Sequence, residues 1–410
     1  MARNFVVIGA GITGITTAYY LTKAGYEVTV LDSEPYPAMM TSYANGGQFS
    51  VSNSETWTTW PNVKKGARWL MTPGAPLLVR PWPSIPKIKW LTGFLWNTAT
   101  GAYEKNTRDT ITLGLMAREF YDKIAAEEGI EFDRSKCGIL HFYKNKEYFE
   151  SAVWATENIY KKMNIDRRVL TQNEVLDAEP NLARGGDIIG GTYTASDSVG
   201  DIHKFCNNLA AVLRRKYQVK FIFDAEVTHA RRENSRWILN TPRRDVSASD
   251  VVICAGSNSA KIGKMFKESL PVYPVKGYSI TITDDPRNLP TVSLLDDEAK
   301  IVTSTLGNRL RVAGTAELDD WNRDIRMSRI EPLVKWVRHN LTAVDTRDVK
   351  PWAGLRPMTP SMMPVVKKGE LPGVYINTGH GHLGWTLGAA TAHHLVYNVV
   401  GYARVNQRMR

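Results

Sequence analysis

The 410-residue sequence contains little cysteine, no long apolar run and fewer acidic than basic residues. The three cysteines are odd in number and form no CxxC pair, which argues against a disulfide framework and against a zinc or iron–sulfur site held by cysteine alone: Cys137, Cys206 and Cys254. No stretch approaches the ~18–20 apolar residues of a membrane-spanning helix. The short apolar segment 5–8 runs into glycines, which is not typical of a signal peptide. We therefore expect a cytoplasmic protein without a metal site, with at most peripheral contact with the inner face of the cell membrane.

The excess of basic residues, 52 against 41 acidic ones, favours an acidic partner. Nucleic acid is the weakest candidate and we predict no such partner, because zinc-finger spacing, RNA-binding signatures and runs of five basic residues are all absent. The segment 61–100 holds six basic residues, four tryptophans and no acidic residue. Tryptophan together with lysine favours an anionic membrane surface. An ordinary loop whose tryptophans are buried fits the same segment, so both interpretations stay open at this point.

The first thirty residues have the pattern strand, glycine turn, helix, strand. Apolar residues 5–8 precede GxGxxG at Gly9, Gly11 and Gly14, and Asp32 ends the next apolar run. In such a unit the first glycine allows a tight turn, the second lets the backbone approach a pyrophosphate, and the third lets helix and strand pack closely. The helix N-terminus attracts phosphate, and Asp32 suits a ribose hydroxyl but would repel the 2′-phosphate of NADP. The pattern predicts a dinucleotide site for FAD or NAD.

The rest of the chain alternates between helical and strand patterns, and its length allows two domains. Helical spacing covers 108–128 and 201–216, and strand patterns cover 139–143, 250–256, 272–282 and 300–313. A glycine-rich segment, 377–388, opens a C-terminal helix. These patterns predict a mixed α/β fold.

Several separated motifs resemble, in the same order, those of the D-amino-acid oxidase superfamily. They are the segment 41–48, Ala255-Gly256 at a strand end, the run from Gly354 to Pro360, and the segment 377–386. Within that superfamily, segments 274–279 and 308–312 are most similar to the small subunit of the bacterial FAD-dependent D-amino-acid dehydrogenases. The resemblance extends from residue 5 to about residue 390.

The resemblance implies a non-covalently bound FAD in a Rossmann-like domain assembled from separated segments, and a second, substrate-binding domain built on an antiparallel sheet. We place the FAD-binding domain at 1–60, 190–268 and 345–410, and the substrate-binding domain at 61–189 and 269–344. The implied cofactor-binding residues are Gly9, Gly11, Ile12, Thr13, Gly14, Asp32, Ser33, Ser42, Asn45, Gly46, Gly47, Gln48, Val227, Ala255, Gly256, Arg356, Gly381, His382, Leu383, Gly384, Trp385 and Thr386.

The resemblance also implies an activity. The expected reaction is oxidative deamination of D-amino acids to 2-oxo acids and ammonia, with hydride transfer from Cα to flavin N5. Electrons are expected to pass to a quinone of a respiratory chain, or to an artificial acceptor in vitro. The alternative is an oxidase of the same superfamily that uses oxygen and acts on glycine, sarcosine, D-proline or hydroxy-D-proline.

Three residues are candidates for contacting substrate or flavin. Arg356 presents a planar fork that matches a carboxylate, and the family match places a carboxylate-binding arginine there. Tyr278 is a candidate for a second hydrogen bond to that carboxylate, against the alternative that it is only packed in its strand. Lys300 is a candidate neighbour of the flavin, against the alternative of a solvated lysine. The turn 379–386 is predicted to direct a helix N-terminus towards the flavin, and we assign its two histidines no catalytic role.

Overall fold

The chain forms two large β-sheets with helices packed on them. The computed structural model describes residues 3–72, 74–182 and 187–401. The strands are β1 (Asn4–Ile8), β2 (Glu27–Leu31), β3 (Gln48–Phe49), β4 (Leu77–Val79), β5 (Ile139–Tyr143), β6 (Arg167–Thr171), β7 (Gly190–Thr194), β8 (Ser198–Val199), β9 (Lys220–Ile222), β10 (His229–Glu233), β11 (Arg236–Asn240), β12 (Val246–Ala248), β13 (Asp250–Ile253), β14 (Tyr273–Thr283), β15 (Ser293–Asp296), β16 (Ile301–Leu306), β17 (Arg309–Leu318), β18 (Lys350–Met358), β19 (Val365–Lys368) and β20 (Val374–Thr378).

The helices alternate with these strands along the chain. They are α1 (Ile12–Lys23), α2 (Trp60–Trp69), α3 (Ile85–Ala99), α4 (Tyr103–Glu128), α5 (Lys146–Ala155), α6 (Gln172–Ala178), α7 (Ile202–Lys216), α8 (Ser259–Met265), α9 (Met327–Asn340) and α10 (Gly384–His394). Short π-helical turns lie at Thr156–Tyr160 and Leu395–Val400, and 3-10 turns at Lys161–Met163, Gly256–Asn258, Pro286–Asn288 and Gly381–Leu383.

The unit formed by β1, α1 and β2 has the geometry that the glycine pattern predicts. β1 pairs in parallel with β2 on one side and with β13 on the other. Gly9 has a φ of +108° and its N–H donates to the Leu31 carbonyl at 2.7 Å, so the turn requires glycine. Gly14 packs so closely that a Cβ there would lie 1.8 Å from the Gly9 carbonyl oxygen. These contacts bring the start of α1 to the carboxyl ends of the central strands, where ligands bind in such sheets.

The first large sheet has the strand order β19-β20-β13-β1-β2-β9 and is parallel except for β19. Its strands come from the N-terminal, middle and C-terminal parts of the chain. Helices α1, α7 and α10 share the hydrophobic core on one face, and α8 with the small sheet β10–β12 covers the other. The predicted Rossmann-like architecture, assembled from separated segments, is therefore present.

The second large sheet has the order β18-β14-β17-β16-β15-β5-β7-β6, with β4 added beside β17. Its pairs are antiparallel except β15 with β5 and β17 with β4, which confirms the predicted second, largely antiparallel sheet. The two faces of β14 enter different cores: Tyr278 packs with α9, and Val275 packs with Trp90 of α3. Because Val275 is the register partner of Arg356 on β18, Arg356 lies on the Val275 face of the sheet.

Two strands lie on a different sheet from the one that the domain prediction assigns. β7 falls in 190–268 and β18 in 345–410, yet both are strands of the second sheet. β18 is held there by its register with β14, and β7 by pairing with β5 and β6. The division into two domains stays a proposal, with these two strands reassigned. Residues 1–2, 73, 183–186 and 402–410 of the predicted ranges lie outside the described residues.

The basic, tryptophan-rich segment 61–100 forms α2, β4 and α3. Pro61 and Pro86 occupy the first turns of the two helices, where a missing N–H costs nothing. Trp90 is buried and donates to the Met358 carbonyl at 3.0 Å, whereas Trp82 and Trp96 are exposed. The interpretation as a loop with buried tryptophans therefore fits Trp90 but not Trp82 and Trp96, whose exposure suits the interpretation as a membrane surface. Over the described part of the chain, no helix combines the length and apolar character needed to cross a bilayer.

Candidate active site

A cavity of about 1240 Å³ extends from the β1–α1 turn to the second sheet. It exceeds the ~300–1,000 Å³ usual for small-molecule pockets, so it has room for a dinucleotide together with a second molecule. All the predicted cofactor residues except Gly14 line it, as do Tyr278 and Lys300. Gly14 instead packs against Gly9, which is the role expected of the third glycine.

At the first sheet, the cavity ends at the glycine turn and the start of α1. A Cβ at Gly11 would meet only the Ser42 hydroxyl, at 3.5 Å, so the glycine leaves space on the cavity side. The start of α1 has no side-chain cap; the Ile12 N–H donates to the Ser42 hydroxyl at 3.2 Å. Asp32 accepts from the N–H groups of Ala10 at 2.5 Å and Glu34 at 2.9 Å, and burial raises the pKa of its carboxyl. This open helix N-terminus with a carboxylate beside it suits a pyrophosphate and a ribose.

The loop between β2 and β3 runs along the seam between the two sheets. The Arg311 guanidinium donates to the Asn45 carbonyl at 3.0 Å, and the Ser304 hydroxyl donates to the Gly46 carbonyl at 2.6 Å. Gln48 donates from Nε2 to the Leu294 carbonyl at 3.1 Å. The second sheet thus fixes the loop that the resemblance identifies as a flavin contact. Opposite it, Ser33, Val227, Ala255 and Gly256 line the wall formed by the first sheet.

A second helix N-terminus faces the cavity where the two ends meet. The turn Gly381–Leu383 leads into α10, whose first residues line the cavity and lack a side-chain cap. His382 stacks on Trp57 with ring centroids 4.5 Å apart, and its Nδ1 finds no partner within the described ranges. Burial and the charge of Arg356 lower the pKa of His382 to about 3, and burial lowers that of His380 to about 3. Both histidines are therefore neutral at physiological pH.

Arg356 extends from β18 into the cavity. Its Nη1 donates to the Thr315 carbonyl at 2.8 Å. A Cβ at Gly277 would come 2.4 Å from Nη2, so the glycine makes room for the guanidinium. Burial lowers the pKa of Arg356 to about 10, and no described carboxylate lies at ion-pairing distance. A cation enclosed without a counter-ion is a strong site for an anionic ligand.

The other two candidate residues, Tyr278 and Lys300, make their polar contacts with acidic side chains. The Tyr278 side chain lies on the opposite face of β14, where its hydroxyl donates to Glu317 at 2.6 Å. Burial and that hydrogen bond raise the pKa of the phenol. Lys300 lies between β15 and β16 with its ammonium 2.8 Å from Asp297 and its side chain partly exposed. The expected contact of Tyr278 with a substrate carboxylate does not follow from this geometry, and the flavin contact of Lys300 stays a prediction.

A polar network at the second sheet was not found from the sequence. Arg167 donates to the Ser52 carbonyl at 3.0 Å and to the Tyr143 hydroxyl at 3.3 Å. The Glu55 carboxylate accepts from the hydroxyls of Tyr160, at 2.7 Å, and Tyr103, at 2.8 Å. His141 points Nδ1 at Asp297, 3.4 Å away, and its buried Nε2 has no partner among the residues described. These groups line the cavity beyond Arg356, and no local motif marks them because they come from separate strands and loops.

Comparison with known proteins identifies the family. Over residues 4–398 the sequence matches the model described as FAD dependent oxidoreductase, DAO. The chain belongs to the DAO family. D-amino acid dehydrogenase 3 of Mesorhizobium japonicum is 49% identical over 397 residues, 95% of each chain. The predicted superfamily, the FAD cofactor and the oxidoreductase class are thereby confirmed, as is the resemblance to D-amino-acid dehydrogenases.

Solved structures of distant proteins show the same DAO fold. Glycine oxidase from Geobacillus kaustophilus superposes with a TM-score of 0.78 at 19% identity, covering 98% of this chain and 96% of that one. The L-alpha-glycerophosphate oxidase of Mycoplasma pneumoniae with FAD bound gives a TM-score of 0.73 at 16% identity, covering 97% and 94%. The predicted fold class is therefore confirmed, and identity at this level carries no information on substrate.

Proposed function

We propose that the chain is an FAD-dependent dehydrogenase that converts D-amino acids to 2-oxo acids and ammonia, with a quinone as electron acceptor. The overall reaction joins one D-amino acid, one water and one quinone to give one 2-oxo acid, one ammonia and one quinol. The observation that carries the proposal is Arg356, a cation without a counter-ion in a cavity shared with the dinucleotide end. The name of the Mesorhizobium relative supports the substrate class and its handedness.

The residues at the first sheet fit a non-covalently held FAD. The open N-terminus of α1 suits the pyrophosphate, and Asp32 suits the ribose. The N-terminus of α10 offers its positive dipole end to the edge of the flavin where negative charge develops on reduction. When bound, FAD supplies a two-electron oxidant that accepts a hydride from the substrate Cα.

Around Arg356 the chain contributes binding and orientation. The guanidinium holds the substrate carboxylate with two charge-assisted hydrogen bonds. The neighbouring histidines are neutral, so the site adds no second cation to repel the substrate's ammonium group. The ammonium loses its proton to water, and water hydrolyses the imine product. We assign no side chain as a general base.

Substitution of Arg356 tests the proposal most directly. Arg356→Met removes hydrogen bonds to a charged group worth ~1.5–3 kcal/mol each, so kcat/KM for D-amino acids should fall about 10²- to 10⁴-fold. Bound flavin, read from the visible spectrum, should stay stoichiometric. Arg338→Met is a matched control, because Arg338 is exposed and lies outside the cavity. Unchanged turnover in Arg356→Met would refute the assigned role.

Handedness and acceptor are read from the wild-type protein. Under nitrogen, the flavin band should bleach with D-amino acids and not with their L partners. In air, little oxygen should be consumed until a quinone or an artificial acceptor is added. Bleaching by glycine, sarcosine or proline alone, with rapid oxygen uptake, would instead assign the chain to the oxidases of the same superfamily.

A further inference from the structure

The side of the second sheet that carries Arg356 is apolar around that residue. Its register partner on β14 is Val275, and Met358 lies two residues further along β18, on the same face. Both side chains belong to one hydrophobic cluster and line the cavity. Strands β17 and β4 add to this cluster, and Ala316 of β17 is the register partner of Leu77 of β4.

Helix α3 covers this part of the cavity from the other side. Trp90 stacks on Phe94 with ring centroids 5.4 Å apart, and its Nε1 donates to the Met358 carbonyl. Because the one polar atom of the indole is bonded in this way, the stacked pair presents only carbon to a ligand. Leu91 and Phe94 are half-buried and line the cavity. We call six cavity-lining residues of these elements the apolar wall: Leu77, Leu91, Phe94, Val275, Ala316 and Leu318.

The apolar wall begins next to the Arg356 guanidinium. Nη1 donates to the Thr315 carbonyl, and Nη2 lies against Gly277. Ala316 follows Thr315 directly, and Val275 is two residues from Gly277, about 7 Å along the strand. The side chain of an amino acid whose carboxylate is held by the guanidinium can span that distance.

The polar network at the far side of the sheet lies further away. Three strand spacings, about 14 Å, separate β17 from β5, which carries His141 and Tyr143. Two of its charged members are already bonded within the protein. Arg167 donates to Thr192, Ser52 and Tyr143, and Glu55 accepts from two tyrosines. A side chain that extends from Arg356 therefore meets the apolar wall first.

The chemistry of the apolar wall selects the kind of side chain that it accepts. Its half-buried members, Leu77, Leu91, Phe94 and Ala316, are covered only in part by the rest of the protein. An apolar group that covers them gains free energy by leaving water. An amide or a charged group placed there would lose its water without gaining a hydrogen-bond partner from these six side chains.

We propose that the apolar wall is the side-chain pocket of the substrate, and that the enzyme prefers D-amino acids with branched, thioether or aromatic side chains to those with small, polar or charged ones. The proposal rests on the proposed dehydrogenase function and adds the substrate class of the same site.

A substrate series with the wild-type holoenzyme and a water-soluble dye as acceptor tests the preference. D-leucine and D-asparagine have nearly the same shape, and kcat/KM should be about 10- to 100-fold higher for D-leucine because the amide finds no partner. D-leucine should exceed D-alanine by about 60-fold, since each of three additional buried carbons contributes about fourfold. D-phenylalanine and D-methionine should rank with D-leucine, and D-glutamate and D-lysine with D-asparagine.

Two variants test which residues set the preference. Leu91→Asn should lower the ratio of kcat/KM for D-leucine to that for D-asparagine about 10-fold. That ratio does not depend on the folded fraction of a preparation. Ile88→Asn is the control, because Ile88 lies on the same helix but outside the cavity. Ala316→Leu should fill the pocket and lower kcat/KM for D-leucine about 10- to 100-fold, with D-alanine changed less than about threefold. Ala99→Leu, exposed at the end of α3, is its control.

Binding of simple carboxylates tests the pocket without turnover. 4-Methylpentanoate and propanoate are the deamino analogues of leucine and alanine, and both can be titrated against the visible spectrum of the bound flavin. The wild type should bind 4-methylpentanoate about 60-fold more tightly than propanoate, and Ala316→Leu should abolish most of that difference.

The outcomes separate the pocket from the reaction. Equal kcat/KM for D-leucine and D-asparagine, or an unchanged ratio in Leu91→Asn, would overturn the pocket and leave the dehydrogenase function standing. Failure of every D-amino acid to reduce the flavin would reject that function instead. The carboxylate titration would then decide the pocket alone, and equal affinity for the two carboxylates would overturn it.

Discussion

The two ends of the cavity offer a ligand different kinds of contact. At the β1–α1 turn the contacts are backbone N–H groups, an uncapped helix start and space left by Gly11. At the second sheet they are long charged side chains, among them Arg356, Arg167 and Glu55, held in place by hydrogen bonds to backbone carbonyls and to tyrosine hydroxyls. Added atoms would fill the space at the first end, and removed atoms would leave hydrogen-bonding partners unsatisfied at the second. Damage to each end should therefore come from opposite kinds of substitution.

The largest effect is expected at the backbone end. Gly14→Ala would place a Cβ 1.8 Å from the Gly9 carbonyl oxygen, which forces backbone apart and should exceed the ~1–3 kcal/mol of ordinary overpacking. We expect little folded, flavin-bearing protein, measured by circular dichroism and visible absorbance. Gly11→Ala is the comparison, because its Cβ meets only the Ser42 hydroxyl at 3.5 Å. It should leave the apoprotein as stable as the wild type but weaken FAD binding about 10- to 100-fold by filling the pyrophosphate space. Normal FAD affinity in Gly11→Ala would contradict the prediction that the pyrophosphate occupies the space beside Gly11.

An intermediate effect is expected at the side-chain end. Arg167→Met removes a buried cation that holds the Ser52 carbonyl and Tyr143, and breaking such a network costs about 3–5 kcal/mol. The urea midpoint should fall, while the flavin content of the folded fraction stays normal because the network lies away from the glycine turn. Arg168→Met in the same strand is the control, since Arg168 is exposed. Equal urea midpoints for the two variants would show that the hydrogen bonds of Arg167 do not stabilise the fold.

A smaller, pH-dependent effect is expected where the two ends meet. The His380 backbone forms an antiparallel β-bridge with Met358 of β18, and its Nε2 is hydrogen-bonded to the Thr391 hydroxyl of α10 at 2.8 Å. Burial lowers the pKa of His380 to about 3. Above about pH 6.5 both folded and unfolded histidine are neutral, and the residue adds no pH dependence. Below that pH only the unfolded chain takes the proton, so stability falls, by about 2 kcal/mol at pH 5.

Replacing the histidine should remove that loss. Stability of His380→Gln, measured by urea unfolding from pH 8 to pH 5, should decline less than that of the wild type, and the exposed His394→Gln serves as control. A parallel decline in wild type and His380→Gln would mean that another group governs acid sensitivity.

The backbone end was largely predictable from the sequence because its signals are local. The glycine spacing, the apolar strand before it and Asp32 after it lie within one short segment, and each has a fixed geometric meaning. Helices α4 and α7 were predictable for the same reason, since their buried residues recur at helical spacing.

The side-chain end was not predictable because its geometry depends on which strands pair. Both faces of β14 are buried, so alternation alone did not show that Tyr278 faces α9 while Arg356 faces the cavity. Arg167, Glu55 and Asp297 meet only after three distant parts of the chain have come together. The start of α2, by contrast, carries a local signal: the Thr59 hydroxyl caps the helix by accepting from the Asn62 N–H, and Pro61 occupies its first turn.

The strand order of the first sheet has a consequence for biosynthesis. β1 is made first, but its partner β13 pairs Asp250 with Phe5, and β20 and α10 come later still. On the ribosome, the β1–α1 turn is therefore present long before α10, which we propose completes the flavin site from the other side. A nascent or prematurely ended chain carries only part of the contacts that FAD requires. We therefore expect stable retention of FAD to depend on residues as late in the chain as α10.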